Sequence, residues 1–274
     1  GTELWHIDSG WKVDRNRPVP TSESTGLFLS AAGGEREAIQ LVLTPLEDLN
    51  SLTLRNTALY NSVGDTLKRD VLDLFQVGYV PITQPSDPLG GADLWPDPLL
   101  PIEGPIDLKG GINHPFWIRV NIPEGTPPGR YKGAILIAGG GRETSVPLTV
   151  NVYGFSLPRQ MSCSTALGFS FSNVIRYHNL SSLEDKRRVL DLYLENFSAH
   201  RISPFDPAPL DPLSVSWEHT IPRFDWSAWD KSMTKAIDHY GFNSFRLVVS
   251  GLGSGDFTRQ IPPRLNGLSE EDPL

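Results

Sequence analysis

The sequence has a single cysteine, no long apolar run and no excess of basic charge, and each of these absences argues against a class of protein. Cys163 is the only cysteine among 274 residues, so no intrachain disulfide and no cysteine-based metal site can form. No stretch approaches the roughly 20 consecutive apolar residues that a membrane-spanning helix needs. The net charge is −8 and no basic stripe is present, which argues against a nucleic-acid-binding protein.

Glycine and proline, in contrast, are plentiful, with 25 Gly and 24 Pro. They are spread along the chain rather than repeated, which predicts many turns and long loops rather than a low-complexity segment. No secretory signal opens the sequence. The leading Gly1-Thr2 is consistent with an end left either by processing or by cloning. On the interpretation that a signal peptide has been removed, we expect a secreted or periplasmic protein.

The stretch of residues 113–137 predicts two strands joined by a turn. In its first part Phe116, Ile118, Val120 and Ile122 alternate with more polar residues, the period of a strand with two unlike faces. Residues 123–129 cannot continue a β-ladder because their prolines lack the N–H donor and their glycines favour turns. We therefore predict a β-hairpin at the centre of an all-β domain.

Further strands are predicted on both sides of this hairpin, at residues 4–13, 37–45, 52–60, 72–81 and 144–155. The last of them should pair with residues 134–137 across Gly139-Gly140-Gly141. Between residues 85 and 115 the density of Pro, Gly and Asp predicts an irregular excursion. Short strands at this spacing, without a helical period, predict a β-sandwich domain over residues 1–157.

After residue 157 the pattern alternates between strands and helices. Strands are predicted at residues 164–171, 200–205 and 243–250. A capping box at Ser182 and Asp185 begins one helix, whose apolar face carries Leu190, Tyr193, Leu194 and Phe197. Asp225 can cap a second helix with Trp229, Met233, Ile237 and Tyr240 on one face and Gly241 as its stop.

The order strand, helix, strand, helix, strand is typical of a parallel sheet with helical crossovers. Three strands do not complete an eight-stranded barrel. We therefore interpret residues 158–274 as the first βα units of a (β/α)8 TIM-type barrel, apparently truncated.

Several short phrases of the sequence carry a resemblance to one family. They are residues 31–43 (AAGGEREAIQLVL), 95–101 (WPDPLLP), 146–150 (VPLTV) and 155–158 (FSLP), together with Trp117, Pro123, Pro128-Gly129 and Tyr131-Lys132-Gly133. In these phrases the chain resembles the bacterial glycoside hydrolases of family 123 and their relatives of unknown function. The resemblance covers nearly the whole chain, and it implies a β-sandwich followed by a catalytic (β/α)8 barrel.

The resemblance also implies an activity, that of a retaining exo-β-N-acetylgalactosaminidase-type enzyme. In such enzymes the acetamido oxygen of the substrate attacks the anomeric carbon, an Asp orients that group and an adjacent Glu protonates the leaving oxygen. The family carries this pair in an Asp-Glu-Pro motif, which does not occur in this sequence; Glu270-Glu271-Asp272-Pro273 has the order reversed. We therefore assign no catalytic residue, and we expect this chain alone to be inactive.

If the barrel interpretation holds, groups that bind substrate should come directly after the strands. The candidates are Asn173, Arg176, Tyr177 and His178 after the first strand, Asp206 after the second, and Trp217 in a small hairpin over the site. The alternatives are a solvated loop for the first group, a turn residue before Pro207 for Asp206, and a cover for the barrel rim for Trp217. No cofactor or metal is expected, because the histidines lack metal-site spacing.

Two hypotheses of function remain. The first is the N-terminal portion of a glycoside hydrolase acting on glycans, completed by the missing half of the barrel or by a homo-oligomer partner. The alternative is a non-catalytic carbohydrate-binding or structural β-sandwich module. A continuation of the chain beyond Leu274 would discriminate between them, since a later strand ending in Asp-Glu-Pro would favour the enzyme.

Overall fold

The chain folds into two compact units, Gly1–Leu157 and Pro158–Leu274. The computed structural model describes residues 1–21, 26–85, 93–158, 161–219 and 221–248, and residues 254–255, 260–262, 264 and 268. The first of the two units is built from strands and the second from helices and short hairpins. In the described part of the chain, no helix has both the length and the apolar character that crossing a membrane requires.

In its described residues, the first unit consists of strands and a 3₁₀ turn at Arg69–Val71. The strands are β1 (Thr2–Asp8), β2 (Leu27–Gly33), β3 (Arg36–Pro45), β4 (Leu49–Asn56), β5 (Leu59–Tyr60), β6 (Thr66–Leu67), β7 (Leu72–Pro81), β8 (Leu94–Pro101), β9 (Ile106–Leu108), β10 (His114–Asn121), β11 (Gly129–Gly139) and β12 (Arg142–Ser156).

These strands form two sheets. The first sheet has the order β1-β3-β10-β7-β8, with antiparallel neighbours throughout. The second sheet has the order β2-β12-β11-β4-β9, in which β2 and β12 are parallel, and the short β5 and β6 attach to β11. Two sheets that share one apolar core form a β-sandwich, the class of fold that the strand spacing predicts.

The core of this unit lies between the sheets. From β10, the side chains of Phe116, Ile118 and Val120 are fully buried, and β11 supplies Tyr131 and Ile135 to the same cluster. The intervening residues of β10, such as Trp117 and Arg119, are half-buried on its other face. The alternation of two unlike faces along this strand is therefore confirmed.

The predicted hairpin over residues 113–137 is wrong, although both of its strands exist. Strand β10 pairs with β3 and β7 in the first sheet, whereas β11 pairs with β12 and β4 in the second. Both strands direct an apolar face at the same core, each from its own sheet. The proline-rich segment between them crosses from one sheet to the other, where Tyr131 Oη donates a hydrogen bond to the carbonyl of Pro127 at 2.9 Å.

The predicted pairing of β11 with β12 is confirmed. The two strands pair from Gly129↔Val152 to Gly139↔Arg142. Gly140 and Gly141 form the two-residue turn with φ angles of 58° and 74°. This turn requires a positive φ at both positions, which glycine adopts without a steric penalty.

The predicted irregular excursion over residues 85–115 is wrong in its described part. Strand β8 pairs with β7, and β9 pairs with β4. The sequence pattern does not predict β8, because this strand contains Pro96, Pro98 and Pro101. The strand forms nevertheless because it lies at the edge of its sheet, where a missing N–H donor is tolerated. Residues 86–92 lie outside the described residues.

The second unit contains three α-helices and two small hairpins among its described residues. They are α1 (Phe171–Tyr177), α2 (Leu183–Ala199), β13 (Ser214–Glu218), β14 (Ile221–Asp225), α3 (Ser227–Thr234) with a π-helical turn at Lys235–His239, β15 (Ser254–Gly255) and β16 (Gln260–Ile261). The buried side chains of α1, α2, α3 and the π turn form one cluster, which includes Val174, Leu190, Leu194, Met233 and Ala236.

The predicted helices are confirmed with one shift of register, but the predicted cap at Asp225 is wrong, because Trp226 is the N-cap of α3 and makes no side-chain cap bond. Ser182 caps α2, since its Oγ accepts a hydrogen bond from the Asp185 backbone N–H at 3.0 Å. In the second helix the π turn inserts an extra residue per turn and rotates the apolar face. The buried side chain is therefore Ala236, and the predicted core residue Ile237 is exposed.

The three predicted strands of the second unit are not formed as ladders in the described residues. Leu167 and Pro204 make one parallel bridge, and the Arg246 backbone N–H donates to the Phe205 carbonyl at 2.8 Å. The first predicted strand is also not buried, because Leu167 is 49% exposed. The third is described only to residue 248.

Local chemistry explains why these segments stop short of a sheet. Pro207 has no N–H, so the second bond of a parallel pair with Arg246 cannot form. The backbone N–H of Ser203 donates to the side-chain Oγ1 of Thr165 at 2.7 Å, which occupies a donor that a ladder would use. In the described residues, the three predicted strands therefore do not form the sheet of a (β/α)8 barrel. Residues 270–273 of the reversed motif lie outside the described residues.

His114 provides a pH-sensitive contact within the sandwich. Its Nδ1 lies 3.1 Å from Arg15 Nη1, and its Nε2 lies 2.8 Å from the Lys109 carbonyl oxygen. Because arginine can only donate, Nδ1 must accept and Nε2–H must donate, which describes a neutral imidazole. Burial, and to a lesser degree the charge of Arg15, lower the pKa of His114 against the opposing hydrogen bond to Lys109.

We predict that the first unit loses stability on acidification and that His114→Gln weakens this dependence. The unfolded chain protonates His114 at its ordinary pKa of about 6.5, whereas the folded chain resists protonation, so stability falls as the pH drops through that value. One such group limits the slope to about 1.4 kcal/mol per pH unit. Urea unfolding at pH 7.5, 6.5 and 5.5 measures it, with His6→Gln as the control. Equal slopes for wild type and His114→Gln would contradict the prediction.

Candidate functional site

Four of the predicted site residues lie together in α1 rather than in a loop. Asn173, Arg176 and Tyr177 belong to the helix Phe171–Tyr177, and His178 follows it directly. The loop prediction is therefore wrong. The apolar positions that anchor this short helix are Phe171 and Val174, with Ile175 partly buried beside them, and they extend over too few turns to establish a helical period in the sequence. All four candidate side chains are exposed.

The side chains at the end of α1 form an exposed aromatic and basic group. Arg176 Nη2 donates a hydrogen bond to Tyr177 Oη at 2.9 Å, and its guanidinium lies 4.6 Å from the centre of the Tyr177 ring. Tyr177 is 77% exposed. His178 is held from α2, because its Nε2 lies 3.0 Å from Tyr193 Oη. This group offers a flat ring and several donors to solvent, which suits a polar ligand with one apolar face.

Asp206 comes after the second of the three predicted strand segments of this unit, as the sequence predicts. The bridge at Pro204 precedes it by two residues, and the Phe205 carbonyl that accepts from Arg246 precedes it directly. Its Oδ1 accepts a hydrogen bond from the Ala208 backbone N–H at 3.0 Å. The carboxylate therefore lies at the carboxyl end of its segment, where its position is fixed by a turn of its own backbone.

The electrostatics of Asp206 are unusual within this unit. Burial raises the pKa of its carboxyl group above the ordinary value, and the Ala208 N–H and the charge of Arg246 only partly oppose this effect. Among the described residues, Asp206 forms no ion pair. A half-buried carboxylate without an ion-pair partner is typical of a site that binds or transforms a ligand.

Arg246 and Phe205 complete this second group. The Arg246 guanidinium lies 5.5 Å from the centre of the Phe205 ring, which is itself partly exposed. Sequence reasoning missed Arg246. The available signal was a single charged residue between Phe245 and Leu247 in an otherwise apolar predicted strand. A carboxylate, a guanidinium and a ring edge together can bind adjacent hydroxyl groups and one apolar face.

Trp217 lies on β13 of a hairpin with two unlike faces. The register pairs Val215 with Phe224 and Trp217 with Pro222 on one face. The opposite face carries the ion pair between Arg223 and Glu218 at 2.8 Å. The sequence predicts a small hairpin within residues 213–219, whereas this stretch forms one strand and the hairpin is completed by β14; the Trp217 side chain is half-buried. Its function as a stacking platform stays a prediction.

The structure thus assembles two groups, one at α1 and one at Asp206. Within the described residues, no hydrogen bond, ion pair or ring contact joins Asp206 or Trp217 to the α1 group. The two groups are linked through the backbone bridge between Leu167 and Pro204. Helix α1 begins four residues after Leu167, and Asp206 comes two residues after Pro204. Both groups therefore come after the same ends of two parallel segments. No cluster of three His, Cys, Asp or Glu side chains that could hold a metal occurs in the described part of the chain.

Comparison with known structures first defines the fold. One solved structure of similar fold is a family 123 glycoside hydrolase from Clostridium perfringens, described through glycolipid glycan hydrolysis. It has a TM-score of 0.69 and 14% identity, over 89% of this chain and 46% of that one. This chain therefore spans about half the length of that enzyme. At this identity the likeness shows a shared fold.

A sequence match then assigns a type to the N-terminal part of the chain. Residues 8–139 match the profile of the Glycoside hydrolase 123 N-terminal domain. The N-terminal part of this chain is of the glycoside hydrolase family 123 type, and the resemblance found in the sequence is confirmed. No curated protein sequence matches the chain.

Two other solved structures illustrate how far weaker likeness extends. A protein of unknown function from Porphyromonas gingivalis W83 has a TM-score of 0.29 and 12% identity, over 61% of this chain and 57% of that one. The CooA pilin subunit from enterotoxigenic Escherichia coli has a TM-score of 0.28 and 10% identity, over 57% of this chain and 99% of that one. Neither score is high enough to support a structural argument.

We predict that Asp206→Asn raises the thermal stability of the protein at neutral pH. Because burial raises the pKa of Asp206, the folded state disfavours its ionised form, so its contribution to stability is lost as the pH rises above the unfolded value. Asparagine keeps the acceptor for the Ala208 N–H without the charge. Thermal unfolding at pH 7 should show a higher Tm for the variant, and the difference should shrink toward pH 4.

Asp211 provides the matched control in the same unit. It pairs with Arg187 through two contacts of 2.7 and 2.8 Å, and Arg187 and Ser232 lower the pKa of its carboxyl group. Asp211→Asn should therefore lower the Tm at pH 7. A loss of stability in Asp206→Asn similar to that in Asp211→Asn would show that Asp206 is a structural residue.

Proposed function

We propose that this chain is the N-terminal portion of a glycoside hydrolase of the exo-β-N-acetylgalactosaminidase type, which hydrolyses glycans by a retaining, substrate-assisted route. The match to the family 123 N-terminal domain and the fold shared with the Clostridium perfringens enzyme support membership of this class. The observation that carries the proposal within this chain is Asp206, a half-buried carboxylate beside Arg246 that forms no ion pair among the described residues.

In this proposal residues 1–157 are a β-sandwich domain and residues 158–274 are the first part of a (β/α)8 catalytic barrel. The parallel bridge at Pro204 and the bond from Arg246 to Phe205 support that arrangement, since strands of such a barrel pair in chain order. Further barrel strands, in the same polypeptide or a second copy, would complete the structure. A secreted or periplasmic location is part of the same proposal.

The chemical function of the residues is argued from their geometry. Asp206 accepts hydrogen bonds from two neighbouring sugar hydroxyls, and Arg246 donates to a ring or hydroxyl oxygen beside them. Bonds to a charged group contribute roughly 1.5–3 kcal/mol each, more than bonds between neutral groups. The Phe205 ring contacts the apolar face of the sugar. The rings and donors of Arg176 and Tyr177 extend the surface for a neighbouring sugar unit.

In the substrate-assisted route the acetamido oxygen of the substrate forms the new bond to the anomeric carbon while the glycosidic bond breaks. A carboxylic acid protonates the leaving oxygen. The Asp-Glu-Pro motif that supplies this acid in the family is absent from the sequence. Asp206 therefore binds and orients the sugar rather than protonating it.

We predict that the 274-residue chain binds N-acetylgalactosamine and that Asp206→Asn weakens this binding about 10-fold or more, because a charge-assisted contact is lost. Arg246→Gln should have a similar effect. Saturation-transfer NMR titration measures both. The exposed Asp238→Asn is the control, with no expected change. Unaltered binding by Asp206→Asn and Arg246→Gln together would contradict the proposed site.

A turnover assay tests the assignment of the acid. We expect no release of nitrophenol from nitrophenyl β-N-acetylgalactosaminide by the purified chain above the spontaneous rate. Turnover that is lost in Asp206→Asn would show instead that Asp206 is the acid, since its raised pKa is the property that such an acid needs. Binding without turnover, retained when Asp206 is changed, would favour the alternative of a carbohydrate-binding module.

A further inference from the structure

The outer face of the second sheet carries exposed aromatic rings that have no part in the site described above. Phe28 on β2 is 64% exposed, and Tyr153 and Phe155 on β12 are 44% and 59% exposed. The Tyr153 and Phe155 rings stack, with centres 5.7 Å apart and planes within 10° of parallel. Single exposed apolar side chains are common, but stacked rings near a third ring on one sheet face mark a surface for interaction.

The register shows which side chains share this face. Inward-facing residues of the same strands, such as Leu27, Tyr131 and Val150, are fully buried in the core. The residues between them point to the other side and form two rows across three strands. These rows are Phe28–Thr149–Lys132 and Ser30–Asn151–Arg130.

Polar side chains lie between the aromatic rings on this face. Phe28 is level with Thr149, four residues before Tyr153 along β12, which corresponds to about 13 Å at the rise of a strand. The row of Ser30, Asn151 and Arg130 lies between the two aromatic ends. A protein interface would bury a continuous apolar centre. Rings that flank a polar row instead match a chain of sugars, whose apolar ring faces stack while the hydroxyls between them form hydrogen bonds.

The charge of this face indicates whether its ligand is neutral or charged. Arg130 and Lys132 are exposed, and neither forms an ion pair within the described residues. The rows that contain them hold no carboxylate, although the whole chain has a net charge of −8. A basic surface on an acidic protein attracts an anionic ligand, which a uniformly acidic surface would repel.

We propose that Phe28, Ser30, Arg130, Asn151, Tyr153 and Phe155 form a second carbohydrate-binding surface, for an acidic oligosaccharide of about three sugars. Tyr153 and Phe155 stack against one end of the oligosaccharide and Phe28 against the other. Asn151 and Ser30 bind hydroxyls between them, and Arg130 binds the carboxylate. This proposal depends on the proposed function only for the general class of the ligand, a carbohydrate. The surface includes none of the residues around Asp206.

The test titrates the full 274-residue chain with two acidic probes, 3′-sialyllactose and tetragalacturonate, each compared with its neutral counterpart, lactose or the methyl-esterified tetragalacturonate. We expect at least one acidic probe to bind, more weakly in high salt, and more tightly than its neutral counterpart. The double variant Tyr153→Ala/Phe155→Ala should lose about tenfold in affinity. Arg130→Gln should reduce the preference for the acidic probe. Absence of binding by both acidic probes overturns the proposal.

Control variants separate this surface from the site in the second unit. Trp11→Ala removes a ring that is 58% exposed and lies outside the second sheet, so it should leave binding unchanged. If Asp206→Asn abolishes binding of the acidic probes while Tyr153→Ala/Phe155→Ala does not, the sandwich surface is excluded and the site near Asp206 stands. A dimer that becomes a monomer in the double variant, measured by light scattering, would show that this face joins two copies and would overturn the proposal.

Discussion

The first unit depends on one constraint, the burial of two successive strands on opposite sides of a single core. Strands β10 and β11 are neighbours along the chain, yet Phe116 and Ile118 enter the core from one sheet and Tyr131 and Ile135 from the other. Burial of apolar surface contributes roughly 25 cal/mol per Å², and each of the two strands buries its face against the sheet that contains the other. The crossover between the sheets, and the outer faces left to solvent, both result from this constraint.

The second unit is held differently, through side chains that bond to the backbone where a ladder would otherwise form. Ser203 Oγ accepts from the Asn243 N–H at 3.2 Å, and the Asn243 side chain donates to the Met161 carbonyl at 2.9 Å. Such bonds fix the three parallel segments relative to one another without regular strands. The backbone after Pro204 is therefore free to turn. This turn positions Asp206, whose Oδ1 accepts a hydrogen bond from the Ala208 N–H.

The strands and helices with strong periodic patterns could be predicted from the sequence, and their partners could not. Alternation identifies β10 as a strand, but it does not say which sheet receives the next one. Proline hides β8, because the sequence does not show that this strand lies at an edge. In the second unit, the helix cap at Ser182 can be recognised from the local sequence. The π turn, which buries Ala236 instead of the predicted Ile237, arises from packing. Asp206 can be predicted from its place after a predicted strand, but Arg246 becomes visible only when the third segment bonds to Phe205.

The contrast between Asp206 and Asp211 bears most directly on function. Both are half-buried aspartates of the same short stretch between α2 and β13. Asp211 is compensated by Arg187 and Ser232, so its ionised form stabilises the fold. The ionised form of Asp206 gains one backbone bond and the charge of Arg246 at a distance, which does not offset its burial. Proteins retain uncompensated groups of this kind mainly where a ligand needs them, since substitution would otherwise improve stability at no functional cost. The energetic imbalance at Asp206 therefore favours a binding site over a turn residue.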